Sequence, residues 1–132
     1  MKIRRFDPAD DLIIVKARLY GPRGYRPLSL AFDTAASETH IVPEVTDDLG
    51  YSPRQGEAIT SVSSAIGKEP GYMLRVARFA SLGFSFADFA VHVHDLPEGF
   101  GIDGLLGLSF LRHFNYEVRS QEGRILIDRT TA

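Results

Sequence analysis

Apolar and polar residues alternate through DLIIVKARLY (residues 11–20), with Val15, Ala17 and Leu19 on one side and Lys16 and Arg18 on the other. A period of two marks a strand, because successive side chains leave opposite faces. GPRGYRP (21–27) then supplies turn residues, and a second strand runs from about Leu28 to Phe32. Together they predict a hairpin that delivers Asp33 at its far end. DTAAS follows, then a short strand candidate in ETHIV. In PEVTDDLG (43–50), proline at the start and glycine at the end predict one or two helical turns. EAITSVSSAI (57–66) and YMLRVARF (72–79) predict a long hairpin with GKEPG near its tip or return. SLGFSFADFAVHVHDL (81–96) predicts a turn at Gly83, then a strand with Phe84, Phe86, Phe89, Val91 and Val93 toward the core. IDGLLGLSFLRHF (102–114) mixes two periods. It predicts a short buried strand ending at Gly107, then a helix from about Ser109 that buries Phe110, Leu111 and Phe114. YEVRSQEGRILID closes the chain as two strands around a turn at Gln121 to Gly123. The predicted fold class is mostly β, a closed or partly closed barrel with one short C-terminal helix.

A length of 132 residues fits a single domain spanning 1–132. The net charge of −2 gives no electrostatic basis for a nucleic-acid or anionic-membrane partner. With no cysteine in the chain, disulfides, thiolate catalysis and cysteine-based metal sites are excluded. No apolar run approaches the roughly 20 residues that span a bilayer, and MKIRRFDPADD is not followed by a signal-type apolar segment. The expected location is cytoplasmic.

The chemistry centres on LAFDTAAS (30–37), where a buried-looking strand runs straight into a carboxylate and small neighbours. Asp33 is either a strand-end turn residue or an acid held where its protonation matters. DGLLG (103–107) stands some seventy residues downstream as a second glycine-flanked hydrophobic motif. His92 and His94 lie two apart on one strand. A zinc pair would need further ligands, and only His40 and His113 remain, so the expectation is no metal and two solvent-facing histidines opposite Phe89, Val91 and Val93. The glycines of GFGIDGLLG lack the GK[ST] that a phosphate loop requires.

In order and spacing, FDTAAS (32–37), the hairpin from Ala58 to Met73 and GLLGLSFLRHF (104–114) resemble the retropepsin-like aspartic proteases, especially their single-domain bacterial members. THIVPEVTDDLG fits the same pattern, and the resemblance runs from about residue 10 to 128. It implies a catalytic Asp33 and a supporting loop of Thr34, Ala35, Ala36 and Ser37. It also implies a flap around Ser64, Ala65, Ile66 and Gly67, with Leu105, Leu106 and Gly107 packed under the Asp33 loop. Thr34 would brace a partner's loop across a dimer axis, or be an ordinary strand-end threonine. Ser37 would support the loop by hydrogen bonding or simply occupy a turn. Gly67 would lie near the flap tip or be a plain hairpin glycine. The sequence departs from the family at Ala35, where the usual residue is glycine. At negative φ the alanine amide can still serve the carboxylate, while its methyl adds bulk to the cleft.

The resemblance implies an aspartic endopeptidase that works as a C2 homodimer on polypeptide substrates without a cofactor. One Asp33 from each chain would share a proton and activate water. Two rivals stand beside it: a non-catalytic module of the same fold for peptide binding or dimerisation, and an unrelated ligand-binding β-barrel.

Overall fold

The computed structural model describes residues 1–56, 58–64, 67–97 and 101–129. Ten strands and two short α-helices follow one another in the order β1 (Lys2–Arg5), β2 (Ile14–Gly21), β3 (Gly24–Phe32), β4 (His40–Ile41), α1 (Pro43–Asp48), β5 (Ala58–Ser64), β6 (Gly67–Ser81), β7 (Phe84–Val93), β8 (Gly104–Leu106), α2 (Leu108–Leu111), β9 (Phe114–Arg119) and β10 (Arg124–Arg129). A single 3₁₀ turn, Pro53–Gln55, lies between α1 and β5. Among the described residues no helix is long and apolar enough to cross a membrane.

The larger sheet runs β2-β3-β8-β4-β7-β6-β5, and β6 also pairs with β2, closing six of these strands into a barrel. The β2 pattern places Val15, Ala17 and Leu19 inside and leaves Lys16 and Arg18 outside. Its hairpin with β3 turns at residues 22–23, tighter than GPRGYRP suggests. Pro27 lies within β3 opposite Arg18. It is tolerated there because β8 pairs β3 only from Leu30 to Phe32, leaving the other side of Pro27 without a ladder to break.

Tyr51 secures the seam where β6 meets β2. Its hydroxyl donates to the Tyr20 carbonyl (2.7 Å) and accepts the Ala77 amide (2.8 Å), so this buried ring leaves no polar atom unmatched. The β6–β7 turn is Leu82–Gly83, with φ of 53° and 85°, the two positive values of a type I′ hairpin. Along β7 the inward positions change parity between Phe86 and Phe89, and Asp88 at φ 51° marks the change. That break is why Phe84 and Phe86 share a core with Phe89, Val91 and Val93.

The helix predicted from Ser109 to Phe114 is a single turn, Leu108–Leu111, and Phe114 already belongs to β9. Its burial expectation holds: Phe110, Leu111 and Phe114 are all in the core. Phe110 meets Phe79 edge-on (5.5 Å between centroids) while Phe79 stacks on Phe89 (5.1 Å). GKEPG forms the start of β6, and the hairpin turns between Ser64 and Gly67. β1 carries no burial pattern of its own. It forms by pairing with β10 in the smaller sheet, β1-β10-β9.

Candidate active site

Asp33 is the first residue past β3, and its backbone is fixed on both sides. Its N–H donates to the Leu106 carbonyl (3.0 Å), extending the parallel β3–β8 pairing by one step, and Phe32 N–H donates to the Ile13 carbonyl (2.8 Å). The chain then turns sharply. Ala36 N–H returns to the Asp33 carbonyl (3.3 Å) and Ala35 N–H donates to Asp33 Oδ1 (2.9 Å), an aspartate turn that sets the direction of the carboxylate. Ala35 is not among the positive-φ residues, so its methyl imposes no left-handed strain and its amide reaches the carboxylate.

The far side of the loop rests on α2. Leu108 N–H donates to the Ala36 carbonyl (2.8 Å) and Ser109 N–H to the Ser37 carbonyl (2.9 Å). Ser37 thus contributes its backbone. Thr39, fully buried, accepts the Gly107 amide (3.3 Å) and the Ser109 hydroxyl (3.0 Å), while Ser109 Oγ accepts the Thr39 amide (2.9 Å). These two hydroxyl residues hold the loop to the helix. Their pairing is not legible in the sequence, because a threonine beside a short strand and a serine in an apolar segment carry no periodic signal.

The two glycines of DGLLG permit this closeness. A Cβ on Gly107 would lie 2.0 Å from the Glu38 carbonyl oxygen, and one on Gly104 would lie 1.8 Å from that of His40. Between them Leu106 is fully buried and Leu105 half-buried. Asp103 stands at the opposite end of β8 from Asp33, roughly 10 Å of strand away. Its Oδ2 accepts the Ser29 amide (2.9 Å), which anchors β8 to β3. The structure therefore brings Asp33, Thr34, Ala35, Ala36, Ser37, Leu106 and Gly107 together, with Asp33 half-buried and Thr34, Ala35 and Ser37 exposed. In the hairpin, Ser64 pairs with Gly67, and the residues predicted between them, Ala65 and Ile66, lie outside the described residues.

The histidines contradict the expected surface position. His92 and His94 are 5% and 6% exposed, and β4 adds His40 at 4%. His40 Nδ1 and His94 Nε2 are 2.7 Å apart in one hydrogen bond, and the His40 and His92 rings stack at 5.4 Å. The neighbours that bury them flank β7 in the same sheet: parallel β4 sets His40 against His92, and Gly71 of β6 lies against His92 and His94. Burial, then the nearby His94 and His92, push His40 down to about 4. Burial, then His94, also lowers His92. Among the described residues no group of three or more His, Cys, Asp or Glu could hold a metal ion.

The arrangement offers one half-buried carboxylate, aimed by the Ala35 backbone amide and flanked by exposed residues. Residues 15–110 match the family model described as aspartyl protease. No curated protein sequence matches the chain. Among solved structures, a retropepsin-like aspartic protease from Rickettsia conorii superposes with a TM-score of 0.68 at 20% identity, covering 94% of this chain and 96% of that one. The EIAV protease complexed with the inhibitor HBY-793 gives 0.60 at 17% identity, over 79% and 88%. The retroviral protease-like domain of Ddi1 from Leishmania major gives 0.58 at 14%, over 90% of each chain. With the family model spanning most of the chain, the chain belongs to the aspartyl protease family, and its barrel has the retropepsin-like fold on which these structures superpose.

Proposed function

We propose that this chain is an aspartic endopeptidase that works as a two-fold homodimer. The observation that carries the reading is the Asp33 loop: a carboxylate past a buried strand end, aimed by the Ala35 amide, with exposed neighbours at Thr34 and Ala35. Asp103, the acid of the second motif, is engaged with Ser29 at the other end of β8, so a second Asp33 is the natural partner. A two-fold axis through the loop brings the two together and sets each Thr34 against the partner's loop.

Two carboxylates in close contact do not both ionise at low cost, so the pair holds one proton, the general behaviour of aspartic-protease dyads. The ionised Asp33 takes a proton from a bound water, which attacks the scissile carbonyl. The protonated Asp33 of the other protomer donates to the carbonyl oxygen as the centre becomes tetrahedral. The chemistry needs no metal or organic cofactor. The β5–β6 hairpin, with Ser64, Ala65, Ile66 and Gly67 at its end, covers the substrate and pairs with its backbone.

Mixing wild-type chains with Asp33→Asn chains tests both halves of the proposal. A shared dyad makes mixed dimers inactive, so activity per wild-type chain falls as variant is added. Activity that simply scales with the wild-type content would overturn the shared site. A pH–rate profile rising steadily to alkaline pH, rather than bell-shaped on the acid side of neutrality, would overturn the carboxylate pair.

A further inference from the structure

A cavity of about 630 Å³ opens between β1, β2 and the β6–β7 turn. None of its lining residues comes from the Asp33 loop, β8 or the β5–β6 hairpin end. Four of them are cations, Arg4, Arg5, Lys16 and Arg18, and none is an acid. None of the four has a carboxylate partner among the described residues. Arg4 donates to the Ile3 carbonyl (3.0 Å), Lys16 donates to Ser29 Oγ (3.3 Å), and the Arg18 guanidinium lies over the Tyr25 ring (5.2 Å). The ion pairs of arginine lie elsewhere, to Asp48, Asp88, Glu117 and Glu122.

Beside the cations the lining includes Pro27 and Ala80, which pair with Arg18 from the two flanking strands, and the half-buried Phe84. A chain with a net charge of −2 thus concentrates positive charge without carboxylate partners beside apolar side chains in one groove. A long polyanion such as nucleic acid would meet the net negative field of the whole molecule. A short segment alternating acidic and apolar side chains matches both kinds of lining residue. β1 is also an edge strand whose second side is unpaired among the described residues, and an extended peptide can use such an edge.

We propose that this groove is an exosite that binds a short acidic–apolar stretch of polypeptide remote from the scissile bond. Calling that polypeptide a substrate rests on the peptidase reading, whereas the binding itself does not. The test uses a labelled peptide of alternating Glu and Leu and the full chain carrying Asp33→Asn, so nothing is cleaved. Binding should weaken with salt and fall roughly tenfold in Lys16→Glu/Arg18→Glu, both solvent-facing positions. A Lys-for-Glu peptide should not bind. Arg4→Gln/Arg5→Gln gives a second, milder reading if the first variant fails to fold. In the cleavage-competent chain, adding the acidic stretch to a substrate should lower KM with kcat unchanged. The two cation variants should lose that gain and still cleave the plain substrate normally.

Peptide affinity indifferent to either cation variant overturns the exosite, as does tighter binding of duplex DNA than of the peptide. A variant that changes only sedimentation would assign the groove to a second copy of the chain. If Asp33→Asn leaves cleavage intact, the catalytic reading fails while the groove's binding still stands or falls on its own variants.

Discussion

The Asp33 loop, held between β3 and β8, and the His40–His92–His94 cluster, brought together by β4 and β7, treat an ionisable group in opposite ways. Asp33 sits half-exposed at a strand end, its direction fixed by the Ala35 amide. The three imidazoles are buried along the neighbouring strands β4 and β7, and burial holds His40 and His92 below the ordinary histidine range. Position alone separates a group that a second molecule can recruit from groups committed to the neutral form. Acidification consequently pulls the two regions in different directions. It supplies the shared proton of the proposed dyad and also drives protons onto imidazoles that are buried neutral.

The sharpest break in the comparison is Asp33→Asn. It keeps the side chain's size and its bond from Ala35, so kcat should fall by roughly 10²–10⁴-fold with the melting temperature nearly unchanged. A large fall in stability instead would make Asp33 a structural turn residue.

Next in size are Gly107→Ala on the aspartate side and Gly104→Ala on the histidine side. Each methyl would enter a carbonyl oxygen of the adjoining backbone, that of Glu38 or His40. Each should cost about 3 kcal/mol, a large share of a small domain's stability. Denaturant titration that finds either variant as stable as wild type would show that β8 can move away from β4.

A pH series of melting temperatures, compared between wild type and a His40 variant, probes the histidine side. The unfolded imidazole titrates near its ordinary 6.5, and folded His40 near 4. Between those values the unfolded state binds more protons, so the stability present above about 6.5 is lost progressively as pH falls toward 4. His40→Asn should flatten that slope while lowering stability at neutral pH through loss of the His94 bond. An unchanged slope would remove His40 from the acid response.

The smallest effect is expected of Ala35→Gly. Because Ala35 already supplies its amide without positive φ, turnover should stay within a factor of about two, and stability should drop by about 0.4–1 kcal/mol through unfolded-chain entropy. A large gain in turnover would mean that the methyl crowds the dyad.

Strand alternation revealed most of the barrel because Val15, Ala17 and Leu19 or Leu74 and Val76 answer to a core on one side only. The Asp33 loop was readable as a local string of small residues after a buried strand. The histidine layer was not. Period two shows that His92 and His94 face away from Val91 and Val93, but not what covers that face. The flanking strand that brings His40 against them, β4, is two residues long and too short to carry a pattern. β1 was invisible for a related reason: all four of its residues are exposed, and only the register with β10 defines it. The parity change at Asp88 depends on one backbone angle that the residue type does not announce.

The fifteen residues of β6 tie three parts of the molecule into one mechanical member. Its first half carries β5, its pairing with β7 begins at Tyr72, and its last residues, Arg78–Ser81, close the barrel against β2. At roughly 3.3 Å per residue that is a beam of about 50 Å with a free end at Gly67 and a clamped end at the seam. Force applied at the hairpin tip therefore has a continuous covalent load path to the barrel's closure. The stiffness of that closure, including the Tyr51 tie across it, sets how far the tip deflects.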